Sequence, residues 1–209
     1  MTNKEKELEQ KVKIEKWLLI TSIIFITLII GIGFTIYWNW WISERKIQFM
    51  ISELPQKPEK VAQSFMKWLK YYGHDDRWLE AFSLLHSESD GIIKAKSRKG
   101  CKGLMMIARK TAGYTRERLR KYMRDTSIYN IDFNLASGFL HLRNLKLHWT
   151  KDDWLLTIEV YNTGWYYYNN KKKRAPAHMK RYGINYADFS IKWKKYSSFW
   201  NLFKKEVKK

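Results

Sequence analysis

From Trp17 to Tyr37 the chain reads WLLITSIIFITLIIGIGFTIY, 21 residues without a charge, and the charge-free stretch continues to Ser43. As a helix rising about 1.5 Å per residue it spans roughly 30 Å, the thickness of a bilayer's hydrocarbon core. A helix buried in a soluble core is seldom apolar on every side for this length. A cleaved signal peptide needs a shorter apolar run and small residues after it, and YWNWWISERK supplies none. Tyr37, Trp38, Trp40 and Trp41 form the aromatic cluster expected at a membrane interface. The stretch reads as an uncleaved anchor.

That anchor divides the remainder. Residues 1–16 form a charged N-terminal segment, 17–41 the transmembrane anchor, 42–58 a linker ending near Pro55 and Pro58, and 59–209 a single folded domain. Lys4, Lys6, Lys11, Lys13 and Lys16 precede the span, but Arg45, Lys46, Lys57 and Lys60 follow it, so charge alone biases orientation weakly. In the domain, Val61, Phe65, Trp68, Leu69 and Tyr72 recur at helical spacing, with Gly73 placed as a stop. Asp75 or Asp76 is expected to cap the next helix, which carries Leu79, Phe82 and Leu85 on one face. Further helices are expected over Gly103–Ala112, Thr115–Arg124, Asn134–Leu147 and Trp154–Tyr161. A last one is expected through Tyr186, Phe189, Trp193, Tyr196, Trp200 and Phe203, with Asn185 and Asp188 at its start. No run of alternating strands and no internal repeat is visible, so the expected class is mainly α.

Forty Lys and Arg against twenty Asp and Glu give a formal charge of +20, which draws polyanions: nucleic acid, anionic lipid or an acidic wall polymer. The basic residues are dispersed and no nucleic-acid-binding signature accompanies them, so no nucleic-acid partner is expected. The single cysteine, Cys101, excludes an intrachain disulfide and leaves the redox compartment unread. No His, Cys and carboxylate set has metal-site spacing, so neither metal nor cofactor is expected.

One stretch carries a specific pattern. Glu88-Ser89 closes an apolar helix; Ala95 follows seven residues after the Glu, Ser97 nine, Gly100 twelve, and Gly103-Leu104-Met105 begins fifteen after it. Later come DFNLASGFLHL (Asp132–Leu142), VYNTG (Val160–Gly164) and NYADF (Asn185–Phe189). In this order and register they resemble the lytic transglycosylase SLT domain family, glycoside hydrolase family 23, which shares a fold with goose-type lysozyme. The resemblance covers roughly residues 60 to 196. It implies a lysozyme-like helical domain behind a single transmembrane helix.

The resemblance further implies peptidoglycan glycan strands as substrate and Glu88 as the catalytic residue. One glutamate would protonate the oxygen between N-acetylmuramic acid and N-acetylglucosamine and then accept the proton of the sugar's C6 hydroxyl. The product is a 1,6-anhydro end. Ser97, Met106, Tyr161, Asn162 and Tyr186 take the family's substrate-binding positions. Met106 departs from the family's glutamine, Cys101 from an alanine, Gly91 and Ile93 from Phe and Pro, and His141 from a tyrosine. A domain acting on peptidoglycan belongs outside the cytoplasm, on a single-pass membrane protein, where envelope-machine or cell-wall proteins are its natural partners.

Plainer readings stand beside these. Glu88 as a solvated helix end, Ser97 as a loop serine, Tyr161 and Asn162 as the close of a helix, and Tyr186 as a packing residue are the defaults without the motif. Met105 and Met106 read as core. Alternative functions are a hydrolytic lysozyme using Asp90, Asp132 or Glu159 to position water, a non-catalytic glycan-binding scaffold, and a basic nucleic-acid-binding protein. For Glu88 itself, a carboxyl closing an apolar helix beside Leu84 and Leu85 is partly desolvated. That raises its pKa and keeps it protonated near neutral pH, as a general acid requires.

Overall fold

The computed structural model describes residues 3–151, 153–163, 191 and 194–198. They are helical apart from turns and two isolated β-bridges. The chain divides into two compact units, Met1–Gln48 and Phe49–Lys209.

Helix α1 (Asn3–Glu53) supplies the whole of the first unit. From Glu15 onward it is long and apolar enough to cross a membrane, the one such helix among the described residues. Ile23, Phe25, Leu28, Ile30 and Phe34 all expose their side chains. Apolar side chains open to the surroundings on every face are what a lipid solvent tolerates and water does not. Residues 42–53, within the segment expected as a linker, are helical. The last of them belong to the second unit, where Phe49, Met50 and, just beyond α1, Leu54 are buried.

The second unit is built around one amphipathic helix and one that is buried on almost every side. In α2 (Pro58–Tyr71) the buried Val61, Ala62, Phe65, Trp68 and Leu69 form one stripe, and Pro58 opens the helix where a missing N–H does no harm. Gly73 at φ +73° ends it, with the His74 N–H returning to the Leu69 carbonyl at 2.9 Å. The helix α3 (Trp78–Ser89) buries Trp78, Leu79, Ala81, Phe82, Leu84 and Leu85 on almost every side. Asp75 and Asp76 do not cap it: they lie in a 3₁₀ turn, Asp75–Arg77, and no side chain caps α3. Arg77 instead draws Asp76 to 3.3 Å.

The expected helix over Gly103–Ala112 is not formed. Gly103 (φ +82°) and Met106 (φ +45°) both take left-handed backbone, which turns the chain, and α4 begins only at Arg109 and runs to Leu119. The apolar run Leu104-Met105-Met106-Ile107 imitates a helix face, yet it is a tight loop held by bridges Lys96–Lys102 and Lys102–Ile107. The helix α5 (Ile131–His148) starts at an Asn130 cap, whose side-chain oxygen accepts the Phe133 N–H at 3.0 Å. It packs on α2, α4 and α6 (Trp154–Thr163). Phe65 joins three helices, its ring 5.8 Å from Phe82 and 5.1 Å from Phe139, both edge-on. Of the last expected helix, only 191 and 194–198 are described, all helical, and Tyr196 packs against Phe49 and Phe82.

Candidate active site

The site begins where α3 stops. Asp90 (φ +50°) and Gly91 (φ +74°) both take left-handed backbone, and the Asp90 N–H closes the helix on the His86 carbonyl at 2.8 Å. A side chain on Gly91 would meet Pro55 Cδ at 2.8 Å and Leu54 Cδ2 at 2.9 Å, so the turn needs glycine for space as well as for φ. This stop leaves Glu88 one residue from the end of a buried helix, half-buried itself. Burial pushes its carboxyl up to about 8. Among the described residues no hydrogen bond or cation offsets that desolvation. A carboxyl so placed keeps its proton at neutral pH.

The loop carrying Gly103-Leu104-Met105 is fastened from behind by Asn134. The Asn134 amide nitrogen donates to the carbonyls of Lys102 at 3.0 Å and Ile128 at 2.8 Å, and its amide oxygen accepts the Met105 N–H at 2.8 Å. Asn134 is buried, and three bonds use most of what a primary amide offers. Gly103 exists for this contact, since a Cβ there would collide with the Asn134 amide and lie 2.9 Å from the Ile128 carbonyl. Gly138, one turn further along α5, makes room for the Met105 side chain in the same way.

Tyr161 in α6 completes the arrangement. Its hydroxyl donates to the Met105 carbonyl at 2.6 Å, and its ring lies 5.3 Å from His141. Burial raises the Tyr161 pKa well above its ordinary value, and the charges of Glu88 and Cys101 nearby push it the same way. Burial also holds His141 neutral, its pKa lowered to about 4. Glu88, Tyr161 and Cys101 thus share one neighbourhood, with Met105 bonded to Tyr161.

The remaining expected residues differ. Ser97 fixes the loop: its Oγ accepts the Cys101 N–H at 3.0 Å, and its backbone N–H reaches the Cys101 carbonyl at 2.9 Å. Met105 is fully buried, as expected of core, whereas Met106, just before the Lys102–Ile107 bridge, is half-exposed. Asn162 falls in α6 with its side chain outside the described residues, as is that of Glu159, and Tyr186 lies outside them altogether. Asp132 points to other work, accepting Trp68 Nε1–H at 2.8 Å and lying 3.5 Å from Lys67. Among the described residues no group of three or more His, Cys, Asp or Glu is placed to hold a metal ion.

Asn134, Gly138 and His141 were not among the residues expected to build the site. All three lie in the DFNLASGFLHL segment, whose motif spacing was the signal available for them.

A family model described as the transglycosylase SLT domain matches residues 63–184, more than half of the chain. None of the curated proteins compared with the chain matches it.

Proposed function

The chain belongs to the transglycosylase SLT domain family, a domain of general lytic transglycosylase type acting on peptidoglycan, and from that premise we propose a specific reaction for it. The domain cleaves the β-1,4 bond between N-acetylmuramic acid and N-acetylglucosamine without water. Glu88 gives its proton to the departing oxygen as the C1–O bond breaks, while the substrate's acetamido group supports the positive C1. The carboxylate then takes the proton of the C6 hydroxyl as O6 bonds to C1. The enzyme returns to its starting state, and the product carries a 1,6-anhydro ring.

The observation that carries this reading is the half-buried Glu88, without a partner among the described residues, whose pKa rises to about 8 at the motif's glutamate position. An acid ionised at pH 4.5 would have no proton to give at neutral pH; this one has. Ser97, Met106, Tyr161, Asn162 and Tyr186 line the substrate's path in this proposal, with Tyr161 bracing the Met105 carbonyl beside the reacting bond. Residues 17–41 anchor the enzyme in the membrane, residues 1–16 stay in the cytoplasm, and the 59–209 domain faces the wall.

The test is the mass of the products. Purified peptidoglycan digested by the full chain in detergent should yield fragments one water lighter than lysozyme's, with no reducing end. Ordinary reducing ends would make the enzyme a hydrolase.

A further inference from the structure

Away from Glu88, the C-terminal half of α2, the end of α4 and the loop into α5 enclose a cavity of about 640 Å³. Glu88, Ser97, Met106 and Tyr161 take no part in it. Its two carboxylates are already engaged. Asp132 accepts Trp68 Nε1–H, and Asp125 accepts the Ser127 N–H at 2.9 Å and Asn130 Nδ2–H at 2.8 Å, bonds that lower its pKa. Each keeps lone pairs to spare. The side chains of Lys70 and Arg124, by contrast, have no partner among the described residues. Tyr71 and Tyr122 stand 60% and 67% exposed, a heavy exposure for two aromatic rings on one cavity. A neighbouring cavity of about 700 Å³ shares Met123 and Arg124 and adds Arg120, so the basic track continues along α4.

Flat rings, cations without a partner among the described residues and carboxylates with lone pairs to spare together suit one chemistry: a hydroxyl-rich ring that carries negative charge. Ring faces lie against tyrosines, hydroxyls donate to carboxylates, and acidic groups pair with Lys and Arg. Evenly spaced phosphates fit less well, because Asp125, Asp132 and Glu117 would face them. We propose that this groove is a second, non-catalytic saccharide site holding a carboxylate-bearing stretch of the wall polymer through Tyr71, Tyr122, Lys70 and Arg124. It rests on the peptidoglycan reading of Glu88, and it keeps the enzyme on long strands between cuts.

The test uses the full chain in detergent micelles. Sedimentation with insoluble peptidoglycan is measured in a Glu88→Gln background, and kcat and KM are measured in the active enzyme on intact sacculi and on short soluble glycans. The pairs Tyr71→Ala/Tyr122→Ala and Lys70→Ala/Arg124→Ala are made separately, with melting temperatures checked. Each pair should weaken sacculus binding by about tenfold and raise KM on sacculi, with kcat on short glycans unchanged. The control Lys60→Ala/Lys110→Ala, which removes the same charge from exposed positions elsewhere, should change binding by less than about twofold. Binding unchanged in both pairs, in an enzyme that cleaves, overturns the groove alone. So does an equal loss in the control, which would mean diffuse charge. Loss confined to single-stranded DNA or phosphatidylglycerol vesicles reassigns the groove to those ligands. A wild-type chain that neither cleaves nor binds peptidoglycan overturns the groove and the reading of Glu88 together.

Discussion

Asn134 and Glu88 are both polar side chains set against the interior of one helical domain, and they are treated in opposite ways. Asn134 is surrounded by partners, with three hydrogen bonds between 2.8 and 3.0 Å. Glu88 has none among the described residues and bears a pKa of about 8 as a result. A satisfied buried amide is scaffold, since its bonds are the reason for its burial. A buried carboxyl left without partners is destabilising in its charged form, and a fold retains such a group where proton transfer requires it. The contrast separates what holds the loop from what works beside it.

The largest effect should come from Glu88→Gln. The amide keeps the shape and cannot transfer the proton. Because one residue serves both halves of the proposed reaction, turnover should fall by at least about 10⁴-fold, the upper end for a general acid–base group. Folding should survive, as judged by circular dichroism and melting. A folded, fully active variant would remove Glu88 from the chemistry.

The scaffold side of the contrast is broken by Asn134→Ala, which takes the partner from the Ile128 carbonyl and the Met105 N–H and leaves the Lys102 carbonyl with the Ile107 N–H alone. Each buried group left unpaired costs about 1–3 kcal/mol, so with two such groups chemical denaturation should show a loss of about 2 kcal/mol or more. Gly103→Ala should lose a comparable amount, through both its φ of +82° and the collision with Asn134. The two changes should be non-additive, because the removed amide is the atom the new methyl would strike. Strict additivity would mean that Asn134 does not govern the loop.

How far these features were legible depended on distance along the chain. The spacing of Val61, Phe65, Trp68 and Leu69 shows α2 directly, and the Glu88-to-Gly103 interval marks the site through its resemblance to a family. The helix expected over Gly103–Ala112 failed because apolar periodicity is blind to φ: Leu104 to Ile107 have a helix-like composition, while Gly103 and Met106 turn the backbone. Asn134's bonds reach 29 and 32 residues back and Tyr161's reaches 56, so no local pattern could announce them. The saccharide groove is drawn from α2, α4 and the α4–α5 loop, and only folding brings Tyr71 near Tyr122. Charge composition had already shown that the surface would be basic, but not where its cations would be unpaired.

pH sharpens the contrast at intermediate size. Glu88 binds its proton up to about pH 8 when folded and only to about 4.5 when unfolded. Between those values the folded state holds a proton that the unfolded state has released. Stability should therefore fall as pH rises from about 4.5 to 8, by a few kcal/mol in total, and stay low above it. In Glu88→Gln that slope should be absent, so the two melting curves separate only toward alkaline pH. The active enzyme's kcat/KM should likewise decline on the alkaline side with an apparent pKa near 8. A decline centred near 4.5 would show that Glu88 is solvated and ionised in the working enzyme.

The smallest expected effect lies at Met106. It sits half-exposed in the loop that Asn134 holds, with φ +45°, in the position where the resembled family carries glutamine. Methionine and glutamine are similar in length and volume, and both meet the same left-handed backbone, so Met106→Gln should shift stability by less than about 0.5 kcal/mol. The amide does restore a donor and an acceptor that a thioether lacks. With residue 106 facing the bound glycan, one added hydrogen bond should lower KM or raise kcat by about three- to tenfold, the equivalent of roughly 0.5–1.5 kcal/mol. A change in KM alone would mean that the bond is made equally in the ground and transition states, whereas equal gains in kcat and kcat/KM would place it in the transition state alone. No change in either, with Glu88→Gln still inactive, would mean that residue 106 points away from the sugar and that Glu88 works with the part of the loop that Asn134 holds.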